Sequence, residues 1–232
     1  MRVIAIASQK GGSGKTTLAG HLAVAAEQAG RGPVALIDAD PQGSLAEWWN
    51  AREAETPLMA RSSAAQLAGD LERVRALGLG YVIVDTPPAI LDTVSQVVRL
   101  ADLVILPVQP SPHDLKAAAS TVELVQRLGK KFLFVLNNTL PKARITREAA
   151  EVLAGCGTLA PMHVHHRTGY ASSMIDGRTI MEIPGSGGPE IANLWAFVER
   201  FLASSDPLPA PGGNVIALAR AWRGRSRPEA KV

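Results

Sequence analysis

The sequence contains a single cysteine, Cys156, among its 232 residues. One cysteine excludes an intramolecular disulfide framework, and it excludes a metal–thiolate cluster whose ligands all come from one chain. This low cysteine content is as expected for a protein of the reducing cytoplasm. We therefore expect Cys156 to be a small buried apolar residue and not a nucleophile.

Long apolar segments are also missing. No uninterrupted apolar run approaches the roughly 20 residues that are needed to span a bilayer. The first segment, "MRVIAIASQKGG", runs directly into glycines and lysines, so it predicts a first β-strand and not a secretion signal. At 47% hydrophobic and 19% charged residues, the chain is ordinary for one globular domain with a substantial core.

Five short apolar runs predict the sheet: "RVIAIAS", "VALID", "YVIVD", "LVILPV" and "KFLFVLN". Stretches with helical spacing or composition separate them, at residues 16–29, 64–77 and 114–128. Because the runs are continuous and not alternating, both faces of the sheet should be buried. The pattern predicts an α/β fold, a mostly parallel twisted sheet with helices on both faces and ligands at the carboxyl ends of the strands.

The composition changes after Phe201. Residues 204–232 form a Pro/Gly-rich linker and then a basic tail, so we expect a first domain over residues 1–203. From Asn214 onward the tail has five basic residues against one acidic residue, while the net charge of the whole chain is +3. The body is therefore close to neutral. If the tail is helical, its apolar residues share one stripe: Val215, Leu218, Ala219 and Trp222.

A glycine-rich loop follows the first strand. In "KGGSGKTT", the backbone N–H groups of Gly11, Gly12, Ser13 and Gly14 would meet a triphosphate at a helix N-terminus. Lys15 would reach the β- and γ-phosphates, Thr16 would offer its hydroxyl to Mg²⁺, and Thr17 completes the loop. The strict P-loop pattern requires glycine at position 9, where this chain has Gln9, followed by a second lysine, Lys10.

The loop resembles the deviant Walker A motif, KGGxGKTT, of the ParA/MinD family of partition and positioning ATPases. The resemblance implies a P-loop ATPase fold, ATP and Mg²⁺ as cofactors, and weak ATP hydrolysis that acts as a molecular switch. It also implies an ATP-sandwich homodimer in which Lys10 crosses to the partner's nucleotide. A cation at the rim agrees with that role, since the loop's amides and Lys15 surround its own phosphates.

Three carboxylates follow predicted strands at the expected ligand edge: Asp38 and Asp40 in "DADPQGS", and Asp85 in "YVIVDTPP". The position of Asp85 is that of a Walker B carboxylate holding Mg²⁺ through water. The family resemblance assigns Asp40 to positioning the attacking water and Asp38 to the metal region. It places Asn137, at the end of "KFLFVLN", where related ATPases read adenine.

Two further segments extend the resemblance over residues 1–203: "ADLVILPVQPSPHDL" and "GRTIMEIPGSGGPEIANLWAFVERF". A ParA-like protein would bind DNA without sequence preference, meet a ParB-like or cargo-adaptor partner that stimulates hydrolysis, and be cytoplasmic and nucleoid-associated. The P-loop begins almost at Met1, so an N-terminal helix-turn-helix domain is not expected. Plasmid, chromosome, protein cluster and microcompartment all remain open as cargo. The DNA-contact candidates are Arg167, Arg178, Arg220 and Arg223.

Alternatives remain at several points. A MinD-like membrane switch would use the tail as an amphipathic anchor, although hydrophilic "GRSRPEAKV" ends the chain. A cluster-bridged reductase would need two cysteines per chain, and an amidotransferase-type synthetase would need a further domain.

His163, His165 and His166 have no companion metal ligands, so we expect a solvated strand end. Trp48 and Trp49 are expected in a core or an interface and not on a base.

Overall fold

The computed structural model describes residues 1–88, 91–185 and 188–204. Six strands form one sheet in the order β3-β2-β4-β1-β5-β6, and each neighbouring pair is parallel. The predicted α/β class is confirmed. The strands are β1 (Arg2–Ile6), β2 (Val34–Asp38), β3 (Leu58–Arg61), β4 (Tyr81–Asp85), β5 (Leu103–Val108) and β6 (Lys131–Leu136).

Helices connect the strands and cover both faces of the sheet, as predicted. In chain order they are α1 (Lys15–Ala26), α2 (Ser44–Asn50), α3 (Leu67–Ala76), α4 (Leu91–Leu100), α5 (Pro112–Arg127), α6 (Arg144–Ala154), α7 (Thr168–Ile175) and α8 (Pro189–Ala203). A π-helical turn (Glu27–Arg31) extends α1, and a 3₁₀ turn (Ile180–Glu182) lies between α7 and α8.

Strand β1 shows why the apolar runs are continuous. Val3 and Ala5 belong to the core on one face of the sheet, with α3 to α6. Ile4 and Ile6 belong to the core on the other face, with α1, α2, α7 and α8. Alternate residues point to opposite faces, so a strand covered on both sides needs apolar residues at every position.

The short strand β3 was not predicted. It pairs with β2 at the edge of the sheet, and its four residues are exposed or half-buried. An edge strand of this length lacks the apolar run that marked the other five. Helices α2 and α7, of 7 and 8 residues, are too short to show a clear helical period in the sequence.

The sheet order determines where a ligand can bind. Strand β1 lies between β4 and β5. The chain builds β2, β3 and β4 on one side of β1 and then β5 and β6 on its other side. The loop after β1 therefore begins at the point where the strand order reverses, which is where open α/β sheets bind ligands. In the described ranges, no helix combines the length and the apolarity that a membrane crossing requires.

Candidate functional site

The loop between β1 and α1 has the backbone of an anion cradle. Gly12 and Gly14 adopt positive φ angles of 73° and 93°, which glycine takes without the strain that a Cβ would add. At Gly14 a Cβ would also clash with the side-chain amide of Asn137. No side chain among the described residues caps the N-terminus of α1, so its first amides are available to a ligand.

Two side chains from neighbouring strand ends hold this loop. The Asn137 amide donates to the carbonyl of Ser13 at 2.8 Å, and the Gln109 amide donates to the carbonyl of Gly12 at 2.8 Å. Asn137, proposed from the family resemblance to read adenine, thus contacts the loop itself. Gln109 was not identified from the sequence, where a glutamine after a strand carries no distinctive signal.

Lys15 lies inside the loop and is buried. Its Nζ donates to the carbonyl of Lys10 at 3.4 Å. Burial lowers the pKa of Lys15, while the negative charges of Asp85 and Asp40 act in the opposite direction. The described part of the cradle therefore holds a cation whose desolvation would be offset by a bound anion.

Thr16 and Asp85 join the start of α1 to the end of β4. The Thr16 hydroxyl donates to Asp85 Oδ2 at 2.6 Å. Burial, the largest cause, and the nearby charge of Asp38 together raise the pKa of Asp85 to about 7, against the opposing effects of Thr16 and Lys15. A hydroxyl paired with a buried carboxylate is the oxygen set that Mg²⁺ uses beside nucleotide phosphates.

Unsatisfied polar atoms test whether a nucleotide and a metal fit here. Asp85 Oδ1 and Ser13 Oγ are buried and have no hydrogen-bond partner among the described residues. Such groups are costly to bury alone, and bound ligands are one way to satisfy them. Lys15 and the free helix amides suit the phosphates of a nucleotide. The carboxylate and hydroxyl oxygens suit Mg²⁺, so the residues present fit both groups.

The acidic loop after β2 is held by Asp38. Asp38 Oδ1 accepts the N–H of Asp40 and Oδ2 accepts the N–H of Ala46, each at 3.0 Å. Both oxygens thus serve the shape of the loop in this conformation. Half-buried Asp40 lines the same cleft as the glycine-rich loop.

The cleft has a volume of about 690 Å³, and its lining includes an apolar wall as well as the glycine-rich loop. Helix α7 supplies Ala171, Met174 and Ile175 to this wall, and the Ile175 residue is 76% exposed. A cleft lined by both apolar side chains and a polar loop suits a ligand with an apolar end and a charged end. These residues were not identified from the sequence, because they lie about 160 positions from the loop.

Lys10 does not enter the cradle beside Lys15. Its Nζ lies 2.5 Å from Asp114 Oδ2, at the start of α5. The Lys10 side chain is 38% exposed and the Asp114 side chain 2% exposed. The two lysines of the motif therefore occupy different environments, one inside the loop and one at its rim.

The cations proposed for DNA are paired with carboxylates where they are described. Arg167 Nε lies 2.8 Å from Glu190 Oε1, and Arg178 Nη2 lies 2.9 Å from Asp176 Oδ2. Each arginine side chain is still about half exposed, at 45% and 51%. The other two candidates, Arg220 and Arg223, lie outside the described residues.

Trp48, Trp49 and His165 each have a hydrogen-bond partner within the protein. Trp48 is buried and its Nε1 donates to the carbonyl of Arg178, while Trp49 Nε1 donates to the carbonyl of Pro57. His165 contacts the Thr139 hydroxyl. Across the described ranges, no three His, Cys, Asp or Glu side chains are grouped as metal ligands. Cys156 is buried, and burial raises the pKa of its thiol.

Comparison with known proteins agrees with this fold. Residues 4–177 match the CbiA family, described as the CobQ/CobB/MinD/ParA nucleotide binding domain. This match covers more than half of the chain, so the protein belongs to that family of nucleotide-binding domains.

One relative and two solved structures are similar to this chain. The "Maintenance of carboxysome distribution protein A" of Halothiobacillus neapolitanus is 31% identical over 198 residues, which are 79% of this chain and 88% of the relative. MinD from Pyrococcus horikoshii, solved with Mg-ADP, has a TM-score of 0.71 at 17% identity and covers 86% of this chain and 96% of its own. A Cyanothece McdA variant solved with ATP has a TM-score of 0.66 at 18% identity, covering 90% of this chain and 99% of its own.

Proposed function

We propose that this protein is an ATP-driven positioning switch. It binds Mg-ATP, pairs with a second copy through the bound nucleotides, and hydrolyses ATP slowly to end the association. The separation of the two lysines carries this proposal: Lys15 lies within the cradle, while the partly exposed Lys10 lies at its rim. A single-subunit ATPase needs one phosphate-binding lysine, so a second one outside the cradle supports a role at a neighbouring site.

The residues of the cradle have separate roles in this account. The amides of Gly11, Gly12, Ser13 and Gly14 and those at the start of α1 bind phosphate oxygens, together with Lys15. Thr17 continues the same turn. The apolar wall of α7 would contact the bound nucleotide, while Asn137 and Gln109 keep the loop in place.

Thr16 and Asp85 would hold Mg²⁺, with Asp85 acting through water. When bound, the ion neutralises charge on the phosphates. Asp38 keeps the acidic loop folded by accepting the N–H groups of Asp40 and Ala46. Asp40 is thereby placed at the cleft, where its carboxylate orients a water molecule for attack.

The cargo of this switch is proposed only as a class of cellular assembly. The relative from Halothiobacillus is named for the distribution of carboxysomes, which supports a role in spacing a large cellular assembly. We propose that the ATP-bound dimer holds non-specific DNA as its track and that an adaptor protein on the cargo stimulates hydrolysis. This places the protein on the nucleoid in the cytoplasm.

Nucleotide titration and light scattering on matched lysine variants test the proposal. Lys15→Ala should lose ATP binding, because it removes the buried phosphate ligand. Lys10→Ala should bind ATP as a monomer but dimerise poorly with adenylyl imidodiphosphate, a slowly hydrolysed ATP analogue. Unchanged ATP affinity in Lys15→Ala would refute the site, and normal dimers and turnover in Lys10→Ala would refute the role in trans.

A further inference from the structure

Arg52 is a buried cation that the proposed reaction does not use. It follows Ala51, the C-cap of α2, and its side chain is 5% exposed. The guanidinium forms a bidentate pair with Glu182, in which Nη2 donates to Oε1 at 2.6 Å and Nη1 to Oε2 at 2.9 Å. Nε and Nη1 also donate to the carbonyls of Thr56 and Gly177, at 2.7 and 2.9 Å. A buried guanidinium with this set of partners is held in one position.

These contacts connect the end of α2 to the end of α7. Gly177 follows the C-cap of α7 and has a φ angle of 68°. A Cβ on Gly177 would lie 2.3 Å from Arg52 Cα, so the two backbones touch and leave no room for a side chain between them. Glu182 is itself fixed, because its Oε2 accepts the N–H and the hydroxyl of Thr179 at 2.7 and 2.9 Å.

Helices α2 and α7 both contribute to the lining of the cleft beside the glycine-rich loop. Trp48 and Ala51 line it from the end of α2, and α7 contributes Ala171, Met174 and Ile175. The Arg52 guanidinium lies 5.5 Å from the centroid of the Trp48 ring, and Trp48 Nε1 donates to the carbonyl of Arg178, just after Gly177. Arg52 is not among the residues that line the cleft, so it acts on the cleft through its neighbours.

We infer that Arg52 is a positioning residue that fixes α2 and α7 at the spacing that the nucleoside end of ATP requires. This inference rests on the proposed function, in which Mg-ATP occupies the cleft. The phosphates are assigned to the amides of the glycine-rich loop and to Lys15. The described hydrogen bonds of Arg52 go to other segments, so its effect falls on the nucleoside and not on the triphosphate.

Arg52→Lys tests this inference, because lysine keeps the positive charge but not the planar fork that binds Glu182 at two points. The full-length variant is titrated with Mg-ATP and with Mg-tripolyphosphate, which has no nucleoside. The Kd for ATP should rise roughly tenfold, since a small separation of packed surfaces loses much of their contact energy. The Kd for tripolyphosphate should not change. An equal loss for both ligands would show a general structural defect and would overturn the inference.

Steady-state turnover gives a second readout, which does not depend on measurable tripolyphosphate binding. KM for ATP should rise in Arg52→Lys, while kcat at saturating ATP should stay near wild type, because the groups around the phosphates are intact. A lower kcat with unchanged KM would contradict a positioning role at the nucleoside.

Arg31→Lys is the matched control. Arg31 also pairs with a glutamate from a distant segment, with its Nε 2.5 Å from Glu199 Oε1, but neither residue lines the cleft. Its ATP affinity should equal that of wild type. A rise in the Kd for ATP as large as that of Arg52→Lys would show that loss of any such ion pair has this effect, and would overturn the inference.

Glu182→Gln tests the pair from its other side, and it replaces Arg52→Lys if that variant fails to fold. It should weaken ATP binding as Arg52→Lys does, and the double variant should be no weaker than either single variant, because all three lose the same contact. Fully additive losses would contradict a shared role. Wild-type ATP affinity in both folded variants would overturn this inference alone, whereas a wild type that binds no ATP would overturn the proposed function as well.

Discussion

The Thr16 hydroxyl and Asp85 Oδ2 form a 2.6 Å hydrogen bond between the first turn of α1 and the end of β4. This bond brings together two oxygen groups that are 69 positions apart in sequence. The second oxygen of Asp85 is buried without a partner among the described residues, and burial raises the pKa of this carboxyl to about 7. A carboxylate in that state gains from a nearby cation, which explains why it fits a metal site.

Asp85→Asn should uncouple ATP binding from Mg²⁺. Affinity measured in EDTA should stay near wild type, because the amides and Lys15 remain. The gain in affinity on adding Mg²⁺ should fall by roughly tenfold or more, as for other outer-shell metal contacts. Asp38→Asn is the comparison. If Asp38 only shapes its loop, the gain in ATP affinity on adding Mg²⁺ should stay at the wild-type value. If Asp38 supports the metal, as predicted from the sequence, this gain should fall too. A full Mg²⁺ gain in Asp85→Asn would remove Asp85 from the metal site.

Buried His21 predicts a specific loss of stability in acid. Its Nδ1 contacts the carbonyl of Thr17 and its Nε2 accepts the N–H of Ile180, so the ring is held neutral. Burial lowers the pKa of His21 to about 4, although the Thr17 contact and the charge of Glu182 oppose this. Since the unfolded histidine binds its proton near pH 6.5, the stabilisation is present above that pH and is lost as the pH falls towards 4.

Urea unfolding at pH 7 and pH 5 measures the His21 effect. Wild type should lose about 2 kcal/mol more than His21→Gln between these two values. Contributions from Glu182 and the other carboxylates occur in both proteins and cancel in the comparison. Equal losses would mean that His21 is not buried as a neutral ring.

The sequence predicted those parts of the site that are local. The glycine-rich loop is contiguous, and Asp85 follows an apolar strand, so their positions at one sheet edge followed from the parallel fold. The buried strands were recognisable because each is apolar throughout. β3 was missed because an exposed edge strand needs no such run.

Contacts between distant segments were not predictable in the same way. Nothing near Lys10 in the sequence indicates Asp114, which comes next to it only because β5 lies beside β1. The same holds for Asn137, whose side chain binds the loop, and for the apolar wall of α7. These relationships depend on tertiary packing, which a single-sequence pattern does not encode.

DNA binding should depend on ATP and on exposed arginines. The proposed dimer would bring two copies of each cationic site together, so affinity for random duplex DNA should rise with ATP and fall steeply with salt, by about 0.9 in log–log slope per phosphate contact. Arg167→Glu should weaken binding. Glu190→Gln is the matched control, since it frees Arg167 from its ion pair and should not weaken binding.

A truncation ending at Ser204 tests the tail in the same salt series. Equal affinity of the truncated and full-length proteins would make Arg220 and Arg223 dispensable for DNA. If no form binds DNA with ATP present, the nucleoid account fails. Vesicles containing anionic lipid, assayed with ATP, would then test the membrane alternative.

Mixing two inactive variants tests the role of Lys10 in trans most directly. Lys10→Ala should hydrolyse poorly for want of the partner's lysine, and Asp40→Ala should dimerise with Mg-ATP but stall. In a mixed dimer, the subunit carrying Lys10→Ala keeps its own Asp40 and receives Lys10 from the other subunit. ATP turnover should therefore reappear when the two variants are mixed before ATP is added, and it should not reappear when Lys10→Ala is mixed with a variant lacking both residues. A mixture no faster than its separate components would contradict a lysine that acts across the dimer.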